Sequence, residues 1–511
     1  MSMMTGGRAT PEATRRHADR HPDLPFTDRG PGGTTVSRIG FGGYRVGLTE
    51  PAHRQALEKT LLSGVNLVDT SSNYKQGASE VMIGRVLGDL IGRAGLRREA
   101  VLVVTKGGYL QGHDYALSLE RRDRGRPYPD LVPLDQGYQH CIHPEFLADQ
   151  IHRSREDLGL EVLDAYLLHN PEHYLSWAQK QGLAPEAARD TYYARLDVAM
   201  RFLESQADRG LIGCWGLSSN TLALPADEYE FTSLERLWNM AEAISPGHRF
   251  RVVQTPLNLL EPRTATERNQ SGGQTVLDFA ERHGLTLLAA RPLNAIVGDR
   301  LIRLADADPV EPPAVAEIEA LLDRVVRVEK RFEEVLIPPL GLPPATVERL
   351  SQRASLGRSL LDYWTHFKTL AQYQSIRNNV ILPRLNDFLD YLVTIESSGD
   401  AFSDWMRDYL DGLQPALEAI ETRYRAERSI RSRLIGERVA ALDSGWAAAG
   451  GLSRMALRAV RTTSGVTSVL VGMRRPEYVD DMLTEFSQPA GEDRLSPAWS
   501  RLEKLIRNLP R

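Results

Sequence analysis

Cysteine is nearly missing from this 511-residue chain. Only Cys141 and Cys214 occur, which excludes a disulfide framework and fits a reducing compartment. A basic excess is missing as well: the formal net charge is -5, and the seven tryptophans follow no stacking pattern suited to nucleic acid, so no nucleic-acid partner is expected. No uninterrupted apolar run reaches the roughly 18 to 20 residues that a membrane helix needs. The opening residues, MSMMTGGRATPEATRRHADRHPD, lack the apolar stretch of a secretory signal, and Glu12, Asp19 and Asp23 weigh against a transit peptide despite the arginines. Residues 1–24 therefore read as a flexible polar extension of a cytoplasmic protein.

What the chain does have is a recurring unit. With 42% hydrophobic residues it can bury a large core. Short apolar segments stand at RIGFGGY (38), NLVD (66), VLVVTKGGY (101), LDAYLLHN (163), LIGCWGLSSN (211), VVQTPLNLL (252), LTLLAARPL (285) and TSVLVGM (467), with amphipathic helical patterns between the early ones. They are rich in Val, Ile and Leu and apolar on both faces, as enclosed parallel strands must be. Eight such segments predict an α/β fold, a closed (β/α)8 TIM barrel, over residues 25–300 and 446–511. The Gly/Pro turn in LPFTDRGPGGTTVS predicts an N-terminal hairpin covering the barrel bottom.

The spacing breaks once, between strands seven and eight. About 170 residues lie there, where a βα unit needs roughly 30. The segment 301–445 reads as an all-helical insertion, because AVAEIEALLDRVVRVEKRFEEVL, NNVILPRLNDFLDYLVTI and WMRDYLDGLQPALEAIETRYRAERSIRSRL each repeat apolar positions at three and four, with breaks at IPPLGLPP and ESSGD. Packing of its own stripes accounts for that pattern. Its attachment after strand seven also suits a lid, a substrate wall or a homodimer contact.

In a barrel of this kind functional side chains gather at the carboxyl ends of the strands. Strand two ends in Asp69 and runs on to Tyr74, strand three ends in Lys106, and strand four ends in His169. Each alone is as easily a bystander; together on one rim they have a chemical use. A carbonyl that receives hydride needs a proton donor placed at its oxygen in advance. A phenol, with a pKa of about 10, becomes useful beside a cation that stabilises its anion. Tyr74 would be the donor, Lys106 the cation, Asp69 its support, and His169 would orient the carbonyl through a ring N–H.

At this point the chain resembles the aldo/keto reductase superfamily. The resemblance rests on DTSSNY (69–74), VTKGGY (104–109), LLHNPE (167–172), IGCWGLSSN (212–220), VVQTPLNLLE (252–261) and SVLVGMRRPEYV (468–479), in the family's order. The family's Asp, Tyr, Lys and His tetrad falls on Asp69, Tyr74, Lys106 and His169. The resemblance implies a nicotinamide cofactor lying across the barrel mouth, with NADP(H) favoured and NAD(H) as the alternative. Residues matching its contacts are Gly43, Tyr44 and Arg45 after strand one, Asp69, and Ser218, Ser219 and Gln254 at the carboxamide. The family's usual Asn is Ser219 here, and Asn220 either compensates or stands by. On strand seven the family's stacking aromatic corresponds to Ala290; Arg291, beside Pro292 and Leu293, either reaches the cofactor or substrate or closes a rim salt bridge. After strand eight, Gly472, Met473, Arg474 and Arg475 suit a phosphate. Tyr478 and Asp481 stand at further cofactor-contact positions implied by the resemblance, although they and Met482 depart from the family's usual residues there.

The expected activity is reversible hydride transfer between nicotinamide and an aldehyde or ketone, with Tyr74 as general acid/base. The alternative is a redox-sensing regulator that binds NAD(P)H and contacts a partner through the helical insertion. His140, Cys141 and His143, with His152 further on, stand close enough in sequence to suggest a metal, but the loop supplies no further partner, so no metal is expected. Tyr109, Tyr128 and Tyr138 lie in the long segment 108–141, where they either wall the substrate pocket or pack.

Overall fold

Alternation with period two decides which strand side chains meet. Leu102 and Val104, Ala165 and Leu167, and then Leu67, Cys214, Val252, Leu288 and Leu470 form one buried apolar cluster, as side chains on one face of each strand must when a sheet closes on itself. The computed structural model describes residues 4–298, 300–394, 400–488 and 495–506. Its barrel strands are β1 (Ile39–Gly42), β2 (Leu67–Asp69), β3 (Leu102–Gly107), β4 (Leu163–His169), β5 (Ile212–Ser218), β6 (Phe250–Pro256), β7 (Thr286–Ala290) and β8 (Ser468–Val471). They close in the order β1 to β8, with β8 paired back to β1. Every pairing is parallel. The expected TIM barrel is therefore present, with helices such as Ala78–Arg93, Pro144–Leu158 and Pro185–Asp208 between strands. Gly216 in β5 marks a point of close approach, since a Cβ there would lie 1.8 Å from the Val252 carbonyl oxygen.

The amino ends of the strands are closed by the chain's own start. Phe26–Thr27 and Val36–Ser37 pair antiparallel, the hairpin that the sequence predicts. Ala9 and Val36 complete the interior apolar cluster. Residues 1–3 lie outside the described residues; further along the expected extension, Thr5 bridges to Leu160 and Ala9 bonds Asp164. Pro11–Asp19 is a helix, N-capped by Thr10, with Pro11 in its first turn. Just before it, the Ala9 N–H donates to Asp164 Oδ1 at 2.6 Å. Asp164 also accepts from Arg98 Nη2 at 2.6 Å and from the Val103 N–H at 2.8 Å. A carboxylate buried at the start of β4 needs these donors, and Ala9 is one of them.

The chain divides into two compact units, Met1–Ala295 with Arg438–Arg511, and Ile296–Glu437. The second opens on a short strand, Arg300–Arg303, paired with Asn294–Val297, so the expected insertion is not helical from its first residue; the rest is helical: Val315–Arg331, Pro344–Arg353, Leu356–Tyr363, Leu370–Ile376, Leu382–Thr394 and the long Asp400–Leu442. Single π turns follow the first and fourth of these, at Phe332–Leu336 and Arg377–Ile381. The apolar stripes read from the sequence pack on one another, with Ile318, Leu322, Phe332, Phe388, Trp405 and Tyr409 in one cluster. Glu329 is buried among them and accepts from the Gly357 and Arg358 N–H groups and from Tyr409 Oη. The break expected at ESSGD falls mostly on residues outside those described.

Candidate active site

The same alternation that fills the barrel also builds its mouth. On β2 the inward series Leu67 ends at Asp69, on β3 Leu102 and Val104 lead to Lys106, and on β4 Ala165 and Leu167 lead to His169. On β5 and β6 it ends at Ser218 and Gln254, and Ser218 stands in register with both His169 and Gln254. Hydrophobic layers below thus give way to one polar layer.

Lys106 is fully buried, and its ammonium has three donors for three acceptors. Nζ lies 2.7 Å from Asp69 Oδ1, donates to the Thr70 carbonyl at 2.7 Å, and donates to Tyr74 Oη at 3.2 Å. Asp69 Oδ1 also accepts from Gln254 Nε2 at 2.8 Å, and Gln254 Oε1 accepts from Ser218 Oγ at 2.8 Å. Tyr74 Oη therefore accepts from Lys106, while its own proton has no protein acceptor among the described residues.

His169 faces this group. Its ring lies 5.8 Å from that of Tyr74, nearly perpendicular, and Nδ1 lies 3.0 Å from Ser71 Oγ. Nε2 has no protein partner among the described residues. Behind it, Tyr109 stands edge-on at 4.8 Å and stacks on Tyr138 at 5.4 Å. Tyr109 Oη is held by Asn170 Nδ2 at 2.6 Å and His173 Nε2 at 2.7 Å. The segment after β3 carries these rings on a three-stranded sheet of Tyr109–Gln111, Val132–Asp135 and Tyr138–His140. Gly108 lets it approach, since a Cβ there would lie 2.8 Å from the His169 carbonyl oxygen. Tyr128 instead packs away from the mouth with Leu110, Cys141 and Phe146.

Burial dominates the electrostatics. It pulls the Asp69 carboxyl up and the Lys106 ammonium down, each opposed by the other's charge. Tyr74 is raised well above the ordinary phenol value by burial, then by the Asp69 carboxylate and the neighbouring phenols Tyr109 and Tyr44. Burial, with the Asp69 carboxylate adding to it, thus keeps this phenol protonated. Burial also lowers His169, with Lys106, His140 and His173 adding to it, so the imidazole is neutral near pH 7.

The expected cofactor residues separate into two groups. Gly43, Tyr44 and Arg45 follow β1; the Tyr44 ring lies 5.2 Å from that of Tyr74, and the Arg45 guanidinium sits 5.5 Å over Tyr44. Arg474 is half-buried and lowered by burial and by repulsion from Arg45 and Arg475. No carboxylate pairs with Arg45 or Arg474 among the described residues. Two guanidinium groups close enough to repel one another, neither paired with a carboxylate among the described residues, fit a phosphate-bearing ligand, and Ser218 and Gln254 retain free donor and acceptor capacity for a carboxamide.

Other expected contacts are turned elsewhere. Ser219 is buried against Thr221 Oγ1 at 3.3 Å, and Asn220 is exposed, with its N–H donating to Glu172 Oε1 at 2.8 Å. Arg291, at φ 55°, closes the rim salt bridge to Glu261 Oε1 at 2.6 Å, while Pro292 is buried and Leu293 half-buried. Met473 is buried, its N–H donating to the Val471 carbonyl. Asp481 pairs with Arg454 at 2.6 Å, Met482 is buried, and Tyr478 is exposed. The cysteine–histidine cluster also disperses: His140 Nε2 bonds the His169 carbonyl at 2.8 Å, Cys141 is buried, and His143 caps the helix Pro144–Leu158. Among the described residues no group of three or more His, Cys, Asp or Glu is placed to hold a metal ion, and no helix is long and apolar enough to cross a membrane.

Sequence reasoning passed over Ser71, which contacts His169, and Glu172, whose buried carboxyl is pushed up to about 7 by desolvation and has an unpartnered Oε2. Glu172 sits in the quoted LLHNPE motif, whose acid is a signal in itself.

The model of the aldo/keto reductase family matches residues 38–300. An NADH-specific methylglyoxal reductase of Escherichia coli K12 is 31% identical over 144 residues, which cover 26% of this chain and 38% of that protein. The chain thus spans well under half the length of this curated relative. Among solved structures, an aldo-keto reductase from Bacillus halodurans in its holo form aligns at 13% identity and TM-score 0.45, covering 96% of this chain and 97% of that one. A Klebsiella pneumoniae aldo/keto reductase in complex with NADP and acetate aligns at 14% and 0.41, covering 94% and 96%.

Proposed function

Because the chain belongs to the aldo/keto reductase family, we propose that it is an NAD(P)H-dependent oxidoreductase that interconverts an aldehyde or ketone and its alcohol, with Tyr74 as general acid/base. The observation that carries this reading is the Tyr74 hydroxyl, which accepts from Lys106 at 3.2 Å and has its own proton uncommitted within the protein. When bound, a nicotinamide would supply hydride to the carbonyl carbon, or take it back. Tyr74 delivers its proton to the oxygen as negative charge develops there. Lys106 steadies the phenolate that remains, and Asp69 holds Lys106 in place at 2.7 Å. His169 Nε2 offers a second donor to the same oxygen. A phenol raised by burial stays protonated near neutrality, which suits the reductive direction.

Arg45 and Arg474 would hold a phosphate of the cofactor, and Ser218 with Gln254 its carboxamide. Two guanidinium groups without carboxylate partners favour NADPH over NADH. The test is oxidation of NADPH and NADH by the purified full chain against a panel of small aldehydes and ketones. Turnover with at least one carbonyl supports the reading; binding of cofactor with no turnover on any compound would replace it with a sensing role.

A further inference from the structure

Ser71 is fully buried, and its hydroxyl meets three partners with a single proton to give. Oγ lies 2.7 Å from Asn73 Oδ1, 3.0 Å from His169 Nδ1 and 3.2 Å from the Lys106 carbonyl oxygen. The Lys106 carbonyl is already served by the Ser72 N–H and the Ser72 hydroxyl, each at 3.2 Å. The proton therefore goes to Asn73 or to His169, and the choice fixes which nitrogen of His169 is protonated. If Ser71 donates to Nδ1, the imidazole carries its proton on Nε2, the nitrogen with no protein partner. If Ser71 donates to Asn73, His169 must donate from Nδ1, and Nε2 is left a bare acceptor.

Resting on the proposed reduction, we propose that Ser71 is a positioning residue that holds His169 in the Nε2–H tautomer, with the Asn73 carboxamide as the group that sets the direction of the chain. The Asn73 side chain makes no other hydrogen bond among the described residues, so turning its NH2 toward Ser71 gives up nothing. The bonds then run head to tail, from Asn73 N–H to Ser71 O–H to His169 Nδ1, each strengthening the next. A neutral imidazole is required for this role. Burial first, and then Lys106, His140 and His173, disfavour a charged ring. Asn73 itself is anchored by its carbonyl oxygen, which accepts from Gln111 Nε2, so the selector sits on a fixed backbone.

The test is 15N NMR of histidine-labelled full-length protein, with His169 assigned by comparison with His169→Gln. The wild type is expected to show the Nε2–H form. Ser71→Ala is expected to lose that preference and to lower kcat/KM for a carbonyl by about 10- to 100-fold, with cofactor Kd unchanged. Asn73→Asp, at a less buried position, presents only acceptors and is expected to draw the Ser71 proton away and convert His169 to Nδ1–H. A wild-type Nδ1–H form, or the same tautomer in wild type and Asn73→Asp, overturns the proposal. The tautomer is read without turnover, so it stands apart from any failure of Tyr74 as the acid.

Discussion

Lys106 Nζ lies 2.7 Å from Asp69 Oδ1, and both side chains are essentially removed from solvent. An ion pair in that setting is costly to break from one side, because the charge left behind is buried and unpaired. Lys106→Met is expected to destabilise the fold by about 3–5 kcal/mol and to abolish turnover. Adding Asp69→Asn should return part of that stability, since the stranded carboxylate is gone. A double-mutant cycle in urea unfolding checks this, and strictly additive losses would argue that the two charges do not depend on one another.

Glu80 sets a pH dependence. It is fully buried, accepts from Thr105 Oγ1 at 2.5 Å, and leaves Oε2 without a partner. Burial raises its carboxyl from 4.5 to about 7. The folded state thus holds a proton that the unfolded state has released between those values. Stability from this group is complete below the unfolded pKa and is lost as pH rises through about 7. Glu80→Gln should match the wild type near pH 4 and exceed it above pH 7 by on the order of 3 kcal/mol. Thermal melts across that range measure it; a constant difference between the two proteins would contradict the assignment.

Arg474 tests the cofactor preference. If it meets a phosphate that NADH lacks, Arg474→Ala should weaken NADPH binding by about 1.5–3 kcal/mol, roughly 10- to 150-fold, and leave NADH binding nearly unchanged. Fluorescence titration with each cofactor distinguishes the outcomes. Equal weakening of both would move Arg474 to the shared pyrophosphate.

The strand ends were readable because a period-two pattern carries its own address. Once Leu102 and Val104 face inward, Lys106 does too, and the same step places Asp69, His169 and Gln254. Ser219 and Arg291 were not readable that way. Their directions are chosen by Thr221 and Glu261, and a sequence does not say which neighbour wins. The helix Pro11–Asp19 carried a local signal in Thr10, Pro11 and Glu12, an N-cap, a first-turn proline and a first-turn acid. It was outweighed by the polarity of the surrounding stretch, which hid the dependence of Asp164 on Ala9. The raised phenol of Tyr74 follows from burial and Asp69 together, a balance that residue types alone do not fix.

The central claim is that the Tyr74 proton is the one delivered to the carbonyl oxygen. Tyr74→Phe removes that proton and little else, so carbonyl-dependent cofactor oxidation should fall by roughly 10²- to 10⁴-fold while cofactor Kd holds. Turnover by Tyr74→Phe at the wild-type rate would contradict the account.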